Sequence, residues 1–196
     1  MAYSNNNRSE SSLSPIEIEL VNRVHSYFLN NDPNQFHFFY ATASPFSNFH
    51  PCSITDEDVT FHSSEQYMMY HKARLFGDES IARKILGAAT PGKCKALGRE
   101  VKNFDQRKWH EHRTRIVSNA VYLKFTQNEQ LKRALLKYRN SLFVEAAGRD
   151  CIWGVGLCEN DPMIKTWTNW RGLNLLGYIL TDVAHRIYNE DNKSLK

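Results

Sequence analysis

Two segments of the chain carry residue types that can move protons at a sugar carbon. In SSEQYMMYHK, Glu65 and Lys72 stand two helical turns apart and share a face if the segment is helical. On the wall of a cleft, a carboxylate and an amine so placed can handle protons together. On an open face the same spacing describes a surface Glu and a surface Lys. In VEAAGRDCIWGVG, Glu145 and Asp150 flank a turn that Trp153, Gly154 and Gly156 follow. Glycines let a backbone approach a ligand closely, and an indole offers a stacking surface for a base. Cleaving a glycosidic bond requires one group to activate water or stabilise an oxocarbenium-like carbon, and often another to protonate the leaving atom. The other reading of this segment is a turn whose acids cap backbone amides.

Further segments could hold a substrate. SPFSNF sets Ser47, Asn48 and Phe49 in a loop able to hydrogen-bond a ligand under aromatic cover, although Ser and Asn are also ordinary turn formers. Arg99, Lys102 and Arg171 are candidates for phosphate, which the guanidinium fork fits well. Asn174 stands where a helix begins, so it can cap that helix or face an anion there. The eight histidines include His110 and His112, two apart and on different faces. The sequence contains no H-E-x-x-H, G-x-S-x-G or G-x-x-x-x-G-K-[ST] motif, which argues against a metalloprotease, an α/β hydrolase and a P-loop enzyme. No metal and no cofactor are expected.

The elements that must position these groups follow from pattern. Pro15 opens a helical spacing of Ile16, Leu20, Val24 and Phe28, predicting a helix over 15–29 that NNDPN ends. FHFFYA (36–41) suits a buried strand, and Cys52–Ile54 with Val59–Phe61 suits a strand pair around an acidic turn. Ser63 with Gln66 fits a capping box, predicting a helix from SSEQ to about Phe76. Further helices are predicted at 79–87, 92–101, 106–125 and 127–138. LFVEA (142–146) and CIWGVG (151–156) read as short strands. The last helix begins near Asn174 with Leu176, Ile179, Leu180, Val183 and Ile187 facing inward. Helices in the middle with short strands near both ends lack the alternating rhythm of a doubly wound fold, so the expected class is α+β in one mostly helical domain with a small sheet.

The 196 residues suffice for one domain with a real core. A net charge of +4 fits an anionic small substrate and is too small to argue for nucleic acid by itself. Cys52, Cys94, Cys151 and Cys158 form no C-x-x-C pair, which fits reduced thiols in a cytoplasmic protein. MAYSNNNRSESSLSP has no apolar core of a signal peptide, and no apolar run reaches membrane-spanning length.

In order, FYATASPFSNFHP, SSEQYMMYHKARLFGD, LGREV, KFTQNEQL, FVEAAGRDCIWGVGL and WRGLNLLGYIL resemble the YbiA-like, or NADAR, family from about Phe36 to Arg186. The resemblance implies domain bounds of 36–188 for the catalytic unit. It leaves 1–14 as a disordered tail, 15–35 as an accessory helix and linker, and 189–196 as a flexible tail. It also implies an N-glycosidase. The substrate would be a phosphoribosylamino-pyrimidine intermediate of riboflavin synthesis, or ADP-ribosylated guanine with local contact to nucleic acid. By motif position, Glu65, Lys72, Glu145 and Asp150 are the implied catalytic groups. Ser47, Asn48, Phe49, Arg99, Trp153, Gly154, Gly156, Arg171 and Asn174 are the implied binding groups. Met68 and Met69 depart from the family's more aromatic run and leave room for a different substrate shape. The competing reading is a non-catalytic ADP-ribose or nucleotide-binding module, which would need the Arg, Trp and Gly positions but not the acids and Lys72.

Overall fold

Four capping side chains set where the central helices start. Ser63, Asp78, Thr90 and Asp105 each accept the backbone N–H three residues on, opening α2 (Ser64–Leu75), α3 (Glu79–Leu86), α4 (Pro91–Arg99) and α5 (Gln106–Gln127). The structure, a computed structural model, describes residues 13–28 and 35–194. The expected tail at 1–14 therefore lies outside the described residues except for Leu13 and Ser14. Ser14 is the N-cap of α1 (Pro15–Ser26), closed by a capping box with Glu17. That helix stops three residues short of the predicted 29. The capping box expected at Ser63 is half formed: Ser63 Oγ takes the Gln66 N–H, while Gln66 Oε1 takes the N–H of His62 and its amide donates to Ile85 and Leu86 carbonyls.

The chain is α+β and mostly helical. Helix α2 lies at its centre, with Ser64 through Tyr70 buried, and packs on α3, α4 and α5. Met69 fills the space over Gly98 that a Cβ there would need. A sixth helix, α6 (Glu129–Lys137), precedes α7 (Leu175–Ser194), which packs on α5, α1 and the late strand. The inward positions named for α7 are all buried. The helix continues to Ser194, past residue 188, where the expected flexible tail begins.

The strands are β1 (Phe36–Phe39), β2 (Ile54–Asp56), β3 (Val59–Phe61) and β4 (Leu142–Glu145). They form two separate two-stranded sheets among the described residues: β2 antiparallel to β3, and β1 parallel to β4 with Phe36 opposite Leu142. The expected strand at 151–156 is absent. Its backbone bonds go to loop partners instead. Val155 N–H donates to Glu145 O, and the carbonyls of Cys151 through Val155 accept from residues 171–176. The segment is thus knitted to the start of α7 rather than extended in a ladder.

The free edge of β4 is covered by side chains of α7 and its lead-in. Asn174, at φ 54°, takes the Glu145 N–H on Oδ1 and donates Nδ2 to Phe143 O, at 3.0 and 2.9 Å. Thr181 Oγ1 accepts from Phe143 N at 3.1 Å. A Cβ at Gly177 would be driven into Phe143 O and the Asn174 amide. Gly177→Ala is therefore expected to cost about 1–3 kcal/mol. Gly92→Ala, in open space on α4, is expected to leave stability unchanged or raise it by up to about 1 kcal/mol. Thermal melts of both variants read the difference, and equal melting temperatures would show that α7 can shift to admit the methyl group.

Candidate active site

Both parallel strands deliver their following loops to one edge, the end at which ligands of such sheets gather. The loop after β1 carries Ser47 and Asn48. β4 ends on Glu145 and leads into the loop with Asp150 and Trp153. Against that edge lies the first turn of α2, tied to the first loop because Glu65 N–H donates to Asn48 O at 2.9 Å.

Glu65 is only 3% exposed, and its Oε1 is buried with no partner among the described residues. Burial pushes its carboxyl up to about 7, with Lys95, Arg99 and Lys72 pulling it down and Asp150 pushing it further up. Glu145 has a buried Oε2 with no partner among the described residues, and burial pushes it up to about 8, aided by Asp150 and Glu65 and opposed by Lys95. The charges each acid feels identify its neighbours. Glu65 lies within electrostatic range of Lys95, Asp150, Arg99 and Lys72, and Glu145 within range of Asp150, Lys95 and Glu65. Asp150 Oδ1 is spent on the N–H groups of Ile152 and Trp153, at 2.9 and 2.8 Å, so this acid also builds the turn it sits in.

Lys72 donates to Gly98 O at 2.8 Å and lies 4.4 Å from the Phe104 ring and 5.6 Å from that of Trp109. Burial, then the Arg99 charge, lowers its ammonium below the ordinary lysine value, against the pull of Glu65. Lys72 and Glu65 act on one another through space without a direct hydrogen bond.

The loop residues divide. Asn48, 7% exposed, holds Glu65 by its carbonyl and has a buried Oδ1 with no partner among the described residues. Ser47 Oγ is turned inward on Phe49 N–H, and Phe49 is half-buried beneath Lys95 Nζ at 5.6 Å. Trp153 is half-buried against the core. Gly154 is required because a Cβ there would meet Glu145 O at 2.9 Å, and Gly156 because of its φ of 69°. Arg99 is exposed beside the acids, whereas Arg171 is anchored by its backbone to Val155 O, with its Cβ against Gly156. Asn174 is wholly buried, with Oδ1 and Nδ2 each bonded to the backbone of β4, so it supports the strand that ends on Glu145.

Lys95 was not among the sequence candidates. Its signal is the four-residue spacing to Arg99, which puts two cations on one face of α4. Two hollows, of about 680 and 460 Å³, lie elsewhere, one lined by Lys84, Lys93 and Glu100 and the other by His37, Tyr40 and Tyr138. Neither lining contains Glu65, Glu145 or Asp150. Among the described residues, no cluster of three His, Cys, Asp or Glu could hold a metal ion, and no helix is long and apolar enough to cross a membrane.

This arrangement can donate a proton from one carboxyl group, accept one at another, and hold negative charge nearby. The family model for the NADAR domain matches residues 27–188. An N-glycosidase of Acanthamoeba polyphaga mimivirus is 41% identical over 65% of this chain and 75% of its own length. An N-glycosidase of Nostoc punctiforme is 34% identical over 78% of this chain and 92% of its own. The NMR structure of the E. coli protein YbiA matches with a TM-score of 0.66 at 26% identity, covering 80% of this chain and 87% of that one.

Proposed function

This chain belongs to the NADAR domain family, and from that premise we propose that it is an N-glycosidase, hydrolysing a ribose C1–N bond beside a phosphate. The observation that carries this reading is the pair of buried carboxyl groups, Glu65 and Glu145, each with an oxygen that has no hydrogen-bond partner among the described residues. A module that only binds ADP-ribose gains nothing from two such acids, because each unpaired buried oxygen destabilises the fold.

The roles follow from protonation. Glu145, the acid pushed higher, keeps its proton near neutrality and donates it to the leaving nitrogen as the C1–N electron pair departs with that atom. Glu65 or Asp150, as carboxylate, takes a proton from the water whose oxygen bonds to C1, and stabilises positive charge on the ribose meanwhile. Lys95 and Arg99 hold phosphate, and Trp153 and Phe49 flank the base. Lys72 either orients Glu65 electrostatically or, with its lowered pKa, adds as a neutral amine to the C1=N carbon of the ring-opened sugar and expels the protonated base nitrogen, leaving a Schiff base that water hydrolyses to free sugar and lysine. Two substrates present this bond: a phosphoribosylamino-pyrimidine of riboflavin synthesis, and ADP-ribosylated guanine in nucleic acid.

The test is hydrolysis of each substrate by purified protein, followed by mass spectrometry of the released base or amine. Release from one substrate chooses the branch. No release from either, with ADP-ribose still bound, returns the chain to the binding-module reading. The rate is also expected to trace a narrow bell against pH. It rises as Glu65 loses its proton near 7 and falls as Glu145 loses its own near 8, both limbs belonging to the interacting pair. A rate flat from about pH 6 to about pH 9.5 would remove both proton roles.

A further inference from the structure

Lys124 is a buried cation that none of the proposed steps uses. It lies on α5 within KFTQNEQL, is 1% exposed, and donates from Nζ to Ser47 O at 2.9 Å. The Phe125 ring centroid is 5.2 Å away. Burial lowers the ammonium to about 8, and the Cys52 thiol feels its charge. An apolar side chain of similar volume would fill this space without removing a charge from water, so stability alone gives no reason for a lysine here.

The hydrogen bond from its Nζ points to the reason. Ser47 O already accepts His50 N–H at 3.1 Å, closing the tight turn of SPFSNF, and Lys124 is a second donor to the same oxygen. The next residue is Asn48, whose carbonyl holds Glu65 N–H at 2.9 Å and whose Oδ1 is buried without a partner among the described residues. Lys124 thus fixes one end of a peptide whose other end locates the first turn of α2. We propose that Lys124 is a positioning residue: from beneath the loop it sets Asn48 against Glu65, and so aligns the acid and the free amide oxygen with the substrate. This role rests on the N-glycosidase reading above, but the geometry it asserts can be measured without turnover.

The experiment compares wild type with Lys124→Met, which keeps the length without the donor, and Lys124→Arg, which keeps the donor and the charge. Three readouts are taken: melting temperature, amide exchange at Glu65, and kcat and KM on whichever substrate wild type hydrolyses. Lys124→Met is expected to melt at or above the wild-type temperature. Its Glu65 amide should exchange at least about tenfold faster, with the rest of α2 unchanged. Its kcat should fall about 10-fold to 100-fold, the scale of an ångström's misplacement, while KM changes little, and Lys124→Arg should recover part of the loss. Unaltered exchange at Glu65 overturns the proposal whatever the activity. So does a kcat loss that tracks a fall in melting temperature and is not relieved by Arg. If wild type hydrolyses neither substrate, the N-glycosidase reading fails, and the exchange result still decides for or against the positioning contact.

Discussion

Glu65→Gln is expected to lower turnover by about 10²–10⁴ while the variant melts at or above the wild-type temperature. The two effects share one cause. The carboxyl group is buried, has an Oε1 without a partner among the described residues, and is held up to about 7. Its folded pKa lies above the unfolded carboxylate value of 4.5, so the native state holds a proton that the unfolded state has lost between those two values. Wild-type stability therefore falls as pH rises from about 5 through about 7, and stays lower above that. Gln keeps the shape, cannot ionise, and escapes this loss, so its advantage in melting temperature should be greatest above pH 7 and absent below about 4.5. The same substitution removes the acceptor for the proton of water. Differential scanning calorimetry across pH, paired with the hydrolysis assay, measures both sides. Full activity in the Gln variant would move the base to Asp150. A strongly lowered melting temperature would mean that Glu65 has a partner that stabilises its charge. For Asp150 the fair substitution is Asn, because Ala would also remove the acceptor that holds Ile152 and Trp153.

The helical part of the fold was legible because its signals are local. Ser63, Asp78, Thr90 with Pro91, and Asp105 are strong N-caps, and the predicted spans at 79–87 and 92–101 differ from the observed helices by one or two residues. Pairings made over long sequence distances were not legible. Nothing near Phe36 announces Leu142 as its partner, and nothing in CIWGVG tells that its carbonyls will be taken by residues 171–176 instead of a neighbouring strand. An apolar segment with glycines satisfies either outcome equally well, and the choice is made by what packs on it.

The candidate site shows the same division. Glu65, Glu145 and Asp150 are chemically conspicuous, and the fold brings them within electrostatic range of one another from α2, β4 and the loop after β4. Asn174 was conspicuous for a different reason: it is a side-chain amide replacing a missing strand, and from sequence such an amide looks the same as one reserved for a ligand. Lys95 and Lys124 escaped notice because a lone lysine on a helix is usually solvated. Lys95 is exposed and matters by proximity, whereas Lys124 is 1% exposed, which only the packing of α5 beneath the SPFSNF loop determines.

Glu17→Ala is expected to destabilise the protein by about 3–5 kcal/mol, although α1 ends before the matched family residues 27–188 begin. The helix was expected to be an accessory, yet its Glu17 is wholly buried at the junction with α5. Oε1 accepts from Arg113 Nε and Thr114 Oγ1, both at 2.8 Å. Oε2 accepts from Ser14 N at 2.8 Å, from Arg113 Nη2 at 3.3 Å, and meets His110 Nε2 at 2.9 Å. Burial alone would push this carboxyl up. The hydrogen bonds from Arg113, Ser14 and Thr114 outweigh it and hold the group below the usual glutamate value. Its stabilising contribution is therefore complete above about 4.5 and is lost as pH falls through the lower folded value. Ala strands the Arg113 guanidinium, itself 3% exposed, without a counter-charge, and that uncompensated burial is the main cost. For a domain of this size the melting temperature should fall by roughly 6–20 °C. The double variant Glu17→Met with Arg113→Met removes both charges and should recover most of the loss, since a buried pair exchanged for apolar side chains is often neutral. Chemical denaturation of the single and double variants completes the cycle. A Glu17→Ala protein that melts with wild type would show that α1 can leave α5 without consequence. A double variant no better than the single would place the cost in the lost packing of α1 and not in the stranded arginine.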